Sequence, residues 1–331
     1  MSISSIAQAA KTIKSIIIAG MAATLLSLPS YAQIDTLTIT FTGDVLLDRG
    51  VRQRIEHTGT EALFSPSIDS LFQVSDLVVG NLECPATRIH QPNFKQFIFR
   101  AEPEWLDCLQ QHGFTHLNLA NNHTIDQGRT GLMDTRDNVI AAGMTPFGAD
   151  TTMKAASQPL LLAIQPRPVY ILASLRVALE NFPYLPLKPC PSQEPMDTLL
   201  LRVSELRLHH PEAVIIVSLH WGGEHTLRPV PQQRIEAHAI IDAGADILIC
   251  HHTHTLQTIE NYQGHYIYYS IGNFIFDQTR DINSKAAVVQ LAVTPDTLNV
   301  RTHHIQIHKC APYLTSTLHD SANDNIDVQQ P

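Results

Sequence analysis

Strand patterns alternate with helical patterns through the first two-thirds of the chain, and this alternation constrains the fold most. Segment 37–42 alternates apolar residues with threonine, which is typical of a half-buried strand. Segment 104–112 has helical apolar spacing and is followed by Gly113, a natural helix end. Further strand patterns occupy 77–80, 116–120, 168–173, 213–219 and 246–250, and β segments follow after residue 264. We therefore predict one α/β domain with a large β content.

Both ends of the chain are predicted to lie outside this domain. Lys11 and Lys14 precede an apolar run, 15–28, and Ser30-Tyr31-Ala32 has the small-x-small pattern of a signal peptidase site. The run is shorter than the roughly 20 residues of a membrane helix. We predict a cleaved signal peptide at 1–32 and a periplasmic or extracellular protein, with an uncleaved N-terminal anchor as the alternative. Residues 315–331 are polar and are predicted to be a disordered tail.

The composition excludes several classes of protein. The net charge is −9, and removal of the leader with its two lysines makes it −11, whereas a non-specific nucleic-acid binder would be basic. Charged residues make up only 16%, which argues against disorder and against a coiled coil. The five cysteines are widely spaced and include no C-x-x-C pair, so a zinc–thiolate site is disfavoured and no disulfide can be assigned.

Side chains that can bind metals follow five of the predicted strands. These strand ends are Gly43-Asp44, Asn81-Leu82-Glu83, Asn121-Asn122-His123, His220 and His251-His252-Thr253-His254. Ligands bind beyond the carboxyl ends of strands in α/β sheets, so we expect one shared site. Each motif alone could be a structural turn, but the five together favour a site. His252 and His254 are expected on one side of an extended segment.

The candidate ligands are oxygen and nitrogen atoms without thiolate, a set that suits Mn, Fe or Zn. Six candidates exceed the needs of one four-coordinate metal. Two divalent metal ions about 3.5–4 Å apart and bridged by a carboxylate would use them all. Such a pair activates water and holds the oxygens of a phosphoryl group or an ester.

Seven ordered motifs carry a resemblance to a known family. They are F-T-G-D-V-L-L-D-R (41–49), N-L-E (81–83), L-A-N-N-H-T-I-D-Q-G (119–128), H-W-G-G-E (220–224), I-D-A-G-A-D (241–246), H-H-T-H-T-L-Q (251–257) and Y-S-I-G-N-F-I-F-D (269–277). The chain resembles the CapA family, named for poly-γ-glutamate capsule synthesis, which is similar in fold to the calcineurin-like metallophosphoesterases. The resemblance implies a CapA-type metallophosphoesterase-like domain at 33–314, folded as a four-layer α/β/β/α sandwich with mixed sheets.

The resemblance also implies metal ligands. Asp44 and His254 are implied for the first metal, and Glu83 is implied as the bridging carboxylate, where a phosphoesterase has Asp. The ligands implied for the second metal are Asn122, His220 and His252. One departure concerns the phosphoesterase pattern Asp-x-His, because Val45-Leu46 follows Asp44 here. The first metal is therefore expected to lack one imidazole.

Three catalytic roles follow from the same resemblance. His123 is implied as the acid that protonates the leaving group, and Asp126 is implied to orient it. Arg49 is implied to hold an anionic substrate group, with a salt bridge to a surface acid as the alternative. Asn273 is expected either to hydrogen-bond a metal ligand or substrate, or to be a turn residue.

Three functional hypotheses follow. The first is a metal-dependent hydrolase or transferase of the cell envelope, acting on a phosphate ester or a γ-glutamyl-type amide. The second is a non-catalytic accessory factor for synthesis or export of an anionic capsule polymer. The third is a metal-bound structural or binding module. The implied partners are a capsule or envelope polymer or its precursor and capsule-synthase components, with no nucleic acid and no membrane segment after leader cleavage.

Overall fold

The computed structural model describes residues 35–319, which form strands and helices in alternation over most of their length. The strands are β1 Leu37–Val45, β2 Leu77–Leu82, β3 His116–Asn118, β4 Thr145–Phe147, β5 Ala149–Asp150, β6 Leu160–Ala163, β7 Val169–Leu175, β8 Cys190–Pro191, β9 Val214–His220, β10 Ile247–Ile249, β11 Ile259–Tyr262, β12 His265–Tyr268, β13 Asn273–Ile275, β14 Lys285–Val293, β15 Leu298–His308 and β16 Ala311–His319. The helices are α1 Gly50–Thr58, α2 Pro66–Gln73, α3 Leu106–Gln111, α4 Gly128–Ala141, α5 Met153–Ala156, α6 Met196–His209, α7 Pro231–Asp242 and α8 Asp281–Ser284.

Two mixed sheets contain nearly all the strands. The first has the order β16-β15-β14-β1-β2-β3-β4, and β13 pairs with the end of β1. Its strands β1 to β4 are parallel, whereas β14 to β16 are antiparallel. The second has the order β11-β12-β10-β9-β7-β6, with four parallel strands between two antiparallel edge strands. The strands β5 and β8 form a separate small pair.

The two sheets pack face to face, and helices cover both outer faces. Phe41 of β1 packs with Val214 and Ile216 of β9 in the core between the sheets. Ile215 and Val217 point the other way and pack against α6 and α7, as the two-residue period of a strand requires. Helices α1 to α4 cover the outer face of the first sheet. The molecule is therefore the four-layer α/β/β/α sandwich with mixed sheets that we predicted.

A close approach between β1 and the turn before β13 explains the glycine of the first motif. A Cβ atom on Gly43 would lie 2.1 Å from the carbonyl oxygen of Gly272, so only glycine fits there. The next residue, Asp44, donates its backbone N–H to the same oxygen at 3.0 Å. This contact fixes the end of β1, where the first carboxylate of the predicted site is attached.

Some sequence-based expectations change. The predicted disordered tail begins too early, because 315–319 continue β16 and pair with β15 through backbone hydrogen bonds. Residues 320–331 and the predicted signal peptide, 1–32, lie outside the described residues. Helix α1 was not predicted, because only Val51 and Ile55 are buried in it and leave a weak apolar pattern.

All five cysteines are free thiols in the structure, so no disulfide crosslinks the domain. Within residues 35–319, we find no helix with the length and apolar character that crossing a bilayer requires.

Candidate metal centre

Two buried carboxylates, Asp44 and Glu83, lie at the middle of the site, and neither side chain is exposed to solvent. Asn81 donates a hydrogen bond from Nδ2 to Asp44 Oδ1 at 2.8 Å. Asp44 Oδ2 and both carboxylate oxygens of Glu83 have no hydrogen-bond partner among the described residues. A buried carboxylate without donors is costly, so these oxygens are free for a cation.

Imidazoles surround the carboxylates in two groups. In the first group, His254 Nδ1 lies 3.4 Å from Asp44 Oδ2 and 3.8 Å from Glu83 Oε2. In the second, His220 Nε2 lies 3.4 Å from Glu83 Oε1 and 3.1 Å from His252 Nδ1. The potential ligand atoms of each group lie within 4.8 Å of one another. Glu83 belongs to both groups, as a bridging carboxylate would.

The structure brings all six predicted ligands to this point. Asn122 joins the second group, because its Oδ1 lies 2.8 Å from His220 Nε2. The two groups offer oxygen and imidazole nitrogen without thiolate, which is the donor set of Mn, Fe or Zn sites. Together with the free carboxylate oxygens, this donor set fits divalent metal ions.

The pKa values of the two carboxylates shift in opposite directions. Burial, followed by the charge of Asp44, raises the pKa of Glu83 well above its usual value. Burial alone would also raise the pKa of Asp44, but the nearby imidazoles of His251 and His254 outweigh this effect and hold that pKa well below its usual value. A nearby cation would favour the ionised form of both groups.

The imidazoles also differ from one another. Burial opposes the charged form of His254, yet the charges of Glu83 and Asp44 raise its pKa to about 9. Burial and, after it, the charge of a neighbouring imidazole lower the pKa of His252 to about 4 and that of His220 well below its usual value. His220 and His252 are therefore neutral at pH 7, the form in which imidazole binds a metal.

His251 is a further imidazole at this centre that our prediction left out. Its Nδ1 lies 3.3 Å from Asp44 Oδ1 and has no hydrogen-bond partner in the part of the chain that the structure describes. The run of three histidines at 251–254 was the signal, and we assigned roles to only two of them. The extended geometry predicted for His252 and His254 is wrong, because their φ angles of 96° and 57° turn the chain tightly. This turn allows all three rings to approach the carboxylates.

His123 and Asp126 lie beside the two ligand groups and contact each other. His123 Nδ1 is 2.8 Å from Asp126 Oδ2, the pairing that the resemblance implied. Burial lowers the pKa of His123, and the hydrogen bond with Asp126 opposes this effect. The ring of Phe99 stacks on His123 with 4.2 Å between ring centres. The imidazole is thus held on one edge and on one face.

Lys95 completes this arrangement and was not predicted, because it follows no strand and belongs to no motif. Its Nζ lies 2.6 Å from Asp126 Oδ1 and is 3.0 Å from the backbone oxygen of Asn122. The side chain is only 1% exposed, so this is a buried ion pair. Lys95 neutralises the carboxylate that orients His123.

Arg49 and Asn273 each had two predicted roles. The Arg49 guanidinium contacts Asp277, a carboxylate that is 19% exposed, and it also lies over the rings of Phe99 and Phe276. It lines an open cavity as well, so the ion pair and access to a ligand coexist. Asn273 Oδ1 lies 2.9 Å from His254 Nδ1, so Asn273 contacts a candidate ligand and is more than a turn residue.

Comparison with known proteins identifies the family. Residues 38–278 match the family described as bacterial capsule synthesis protein PGA_cap. The chain belongs to the PGA_cap family. All nine predicted site residues, and also Lys95 and His251, fall inside the PGA_cap match. The site is therefore part of the region that defines membership.

Several curated proteins are similar to this PGA_cap chain. It is 32% identical to the PGA biosynthesis protein CapA of Bacillus subtilis over 84% of this chain and 73% of that protein. It is 32% identical to the capsule biosynthesis protein CapA of Bacillus anthracis over 77% of this chain and 64% of that protein. A Mycobacterium tuberculosis protein named "Probable polyglutamine synthesis accessory protein" is 27% identical over 73% of this chain and 75% of its own length. The chain thus spans about two-thirds to three-quarters of these relatives.

Solved structures are similar at lower identity. The sulfate thiohydrolase SoxB of Thermus thermophilus aligns with 85% of this PGA_cap chain and 58% of its own length, at 12% identity and a TM-score of 0.48. A hypothetical protein of Thermus thermophilus aligns with 86% of this chain and 100% of its own length, at 13% identity and a TM-score of 0.47.

Proposed function

We propose that this protein is an exported, metal-dependent hydrolase of poly-γ-glutamate or capsule metabolism. The bond that it hydrolyses would be a phosphate ester or a γ-glutamyl-type amide. Its cofactors would be two divalent metal ions, which could be Mn, Fe or Zn. The observation that carries the proposal is Glu83, which is buried between two groups of ligands with both carboxylate oxygens free. Family membership and the names of the Bacillus relatives support the capsule context.

The side chains around Glu83 divide the chemical work. Asp44, Glu83 and His254 would hold one ion, and Glu83, Asn122, His220 and His252 the other. Bound divalent ions supply Lewis acidity that polarises a phosphoryl or acyl oxygen. The protein residues would position these ions, and the burial of the site would exclude bulk water.

His123 is the group that would deliver a proton to the leaving group. Its Nδ1 faces Asp126, so Nε2 is the nitrogen left to exchange a proton with a substrate. Asp126 fixes the orientation of the ring, and Lys95 forms a buried ion pair with Asp126. This division assigns proton transfer to His123 and positioning to the other two residues.

A second candidate is a non-catalytic accessory factor in synthesis or export of an anionic capsule polymer, working with capsule-synthase components. The observation that favours it is the word "accessory" in the name of the mycobacterial relative. Under this candidate the protein would hydrolyse no substrate, whether or not the ligand groups hold metal.

Metal content and hydrolysis of the same samples test the two candidates. The mature protein, purified without chelator or histidine tag, is expected to hold about two equivalents of metal and to hydrolyse bis(p-nitrophenyl) phosphate or γ-glutamyl-p-nitroanilide. Glu83→Gln and His252→Ala should each lose at least one equivalent and about 100-fold of the activity.

His238→Gln provides the matched control, because His238 pairs with Glu260 on the surface away from the site. It should keep both metal and activity. Absence of hydrolysis would favour the accessory factor, and absence of metal after supplementation would reject the metal-dependent hydrolase and leave the accessory factor.

A further inference from the structure

An open cavity of about 340 Å³ adjoins the candidate metal centre. Its lining includes Arg49, His225, Asp277, Arg280 and Asn283. Two of these side chains are permanently cationic, and only Asp277 is acidic. The acid already contacts the Arg49 guanidinium and accepts the backbone N–H of Gly50 at 3.0 Å. The cavity therefore presents more positive than negative charge to a ligand.

Asn283 and His225 join this cavity to the metal centre. Asn283 Nδ2 donates to the backbone oxygen of His254 at 2.8 Å and lies 3.0 Å from His225 Nδ1. The rings of His225 and His254 are 6.1 Å apart. A group bound in the cavity would thus lie near a candidate ligand of the first metal, His254.

The polar atoms of the cavity include hydrogen-bond donors, which indicates that its ligand is an oxyanion. Since His225 Nδ1 accepts from Asn283, the ring proton is on Nε2, and Nε2 can donate to a ligand. Nε2 is 3.8 Å from the exposed carboxylate of Glu224, which is beyond hydrogen-bond distance. Arg49 Nε is buried and has no hydrogen-bond partner within residues 35–319, so it retains a free donor. Guanidinium and imidazole donors are suited to carboxylate and phosphate oxygens.

Backbone strain is concentrated around the same space. Arg49 has a φ of 53° and His225 a φ of 61°, which is the left-handed region that costs a side-chain-bearing residue roughly 1 kcal/mol or more. Eight non-glycine residues of the described chain have positive φ, and four of them belong to this cavity or to the metal centre. Strain retained at two lining residues supports a binding role for the cavity.

We propose that this cavity is a substrate subsite for an oxyanion, a carboxylate or a phosphate, carried next to the bond that is hydrolysed. The proposal rests on the proposed function, since it names the class of substrate for the same centre. A γ-linked glutamate chain has such a group, because each α-carboxylate is attached to the carbon beside an amide nitrogen. Phosphate-containing precursors would offer the same charge through a phosphoryl group.

Binding of small anions to full-length mature protein tests the subsite independently of catalysis. The probes are N-acetylglutamate and inorganic phosphate, titrated by NMR into wild type, Arg280→Gln and His225→Gln. Arg280→Gln and His225→Gln should each lower the affinity for at least one probe about tenfold, whereas metal content stays at the wild-type level. Arg228→Gln is the matched control, because Arg228 is exposed in the loop after His225 and does not line the cavity.

The pattern of losses identifies the ligand. If the variants lose affinity for N-acetylglutamate only, the group bound in the subsite is a carboxylate. If they lose affinity for phosphate only, it is a phosphoryl group. Equal affinity of wild type, Arg280→Gln and His225→Gln for both probes would overturn the subsite, even if the protein hydrolyses esters. If no metal or hydrolysis is found while Arg280→Gln still weakens a probe, the subsite stands and the hydrolase proposal fails.

Discussion

His251 Nδ1 lies 3.3 Å from Asp44 Oδ1, although the two residues are more than 200 positions apart in the chain. The sequence lacks the histidine that follows the first aspartate in phosphoesterases, and the first metal was therefore expected to lack an imidazole. The structure provides one from a different strand end. A parallel β-bridge between the backbones of His220 and His251 holds this strand end in place.

His251→Ala should lower the affinity for one of the two metal equivalents by about 10- to 100-fold, because the ligand group near Asp44 loses an imidazole. Competition with a metal-sensitive chelating dye measures this. His238→Ala should behave as wild type. If His251→Ala binds both equivalents with unchanged affinity, His251 is a neighbour of Asp44 and not a ligand.

Glu83→Gln should change stability in opposite directions with and without metal. The pKa of Glu83 is raised by burial and by Asp44, so its ionised form destabilises the metal-free fold at pH 7, and glutamine should stabilise that fold by about 1–3 kcal/mol. With metal at about 1,000 times Kd, wild type gains roughly 4 kcal/mol that the variant largely loses. Urea unfolding with and without chelator measures both differences. The same sign in both conditions would contradict a bridging carboxylate.

Lys95→Met should destabilise the protein by about 3–5 kcal/mol, because it leaves the buried charge of Asp126 unpaired. The Lys95→Met/Asp126→Asn double variant should recover part of the loss, since it removes both charges. Lys285→Met breaks an exposed ion pair with Asp281 and should cost less than about 1 kcal/mol. Denaturant curves of the four proteins compare these costs. Equal costs for the two lysines would contradict the buried pair.

His116 should make stability depend on pH. Burial lowers its folded pKa from 6.5 to about 4, so between these pH values the unfolded chain binds a proton that the folded protein does not. Its contribution is therefore complete above pH 6.5 and is lost as pH falls towards 4, by about 3 kcal/mol at most. His116→Gln should flatten this part of the stability curve, and His57→Gln, which retains His116, should not. Identical slopes for wild type and His116→Gln would reject this assignment.

Gly43→Ala should destabilise the protein by about 1–3 kcal/mol or more, because its Cβ would meet the Gly272 carbonyl oxygen at 2.1 Å. It should also lower metal affinity, since the turn that positions Asp44 must move. Gly223→Ala is the control, because its Cβ would make only an ordinary contact of 3.7 Å with Thr226. Thermal unfolding and metal content of both variants give the comparison. Wild-type values for Gly43→Ala would show that the strand end can relax.

The α/β class, most strands and the six candidate ligands could be predicted from the amino-acid sequence alone. Apolar periodicity reports which residues are buried, and a polar residue directly after a buried strand marks a strand end. The seven ordered motifs, through the family they resemble, also implied the four layers. These signals are local, or they follow the order of the chain.

The contacts between particular atoms of the site could not be predicted in this way, because they depend on the three-dimensional fold. The proximity of His251 to Asp44 depends on a left-handed turn at His252 and His254 and on the pairing of His251 with His220. Lys95 reaches Asp126 from a loop without any periodic pattern. Such contacts join residues far apart in sequence, and their distances follow from strand register and sheet packing, which local hydrophobic pattern does not encode.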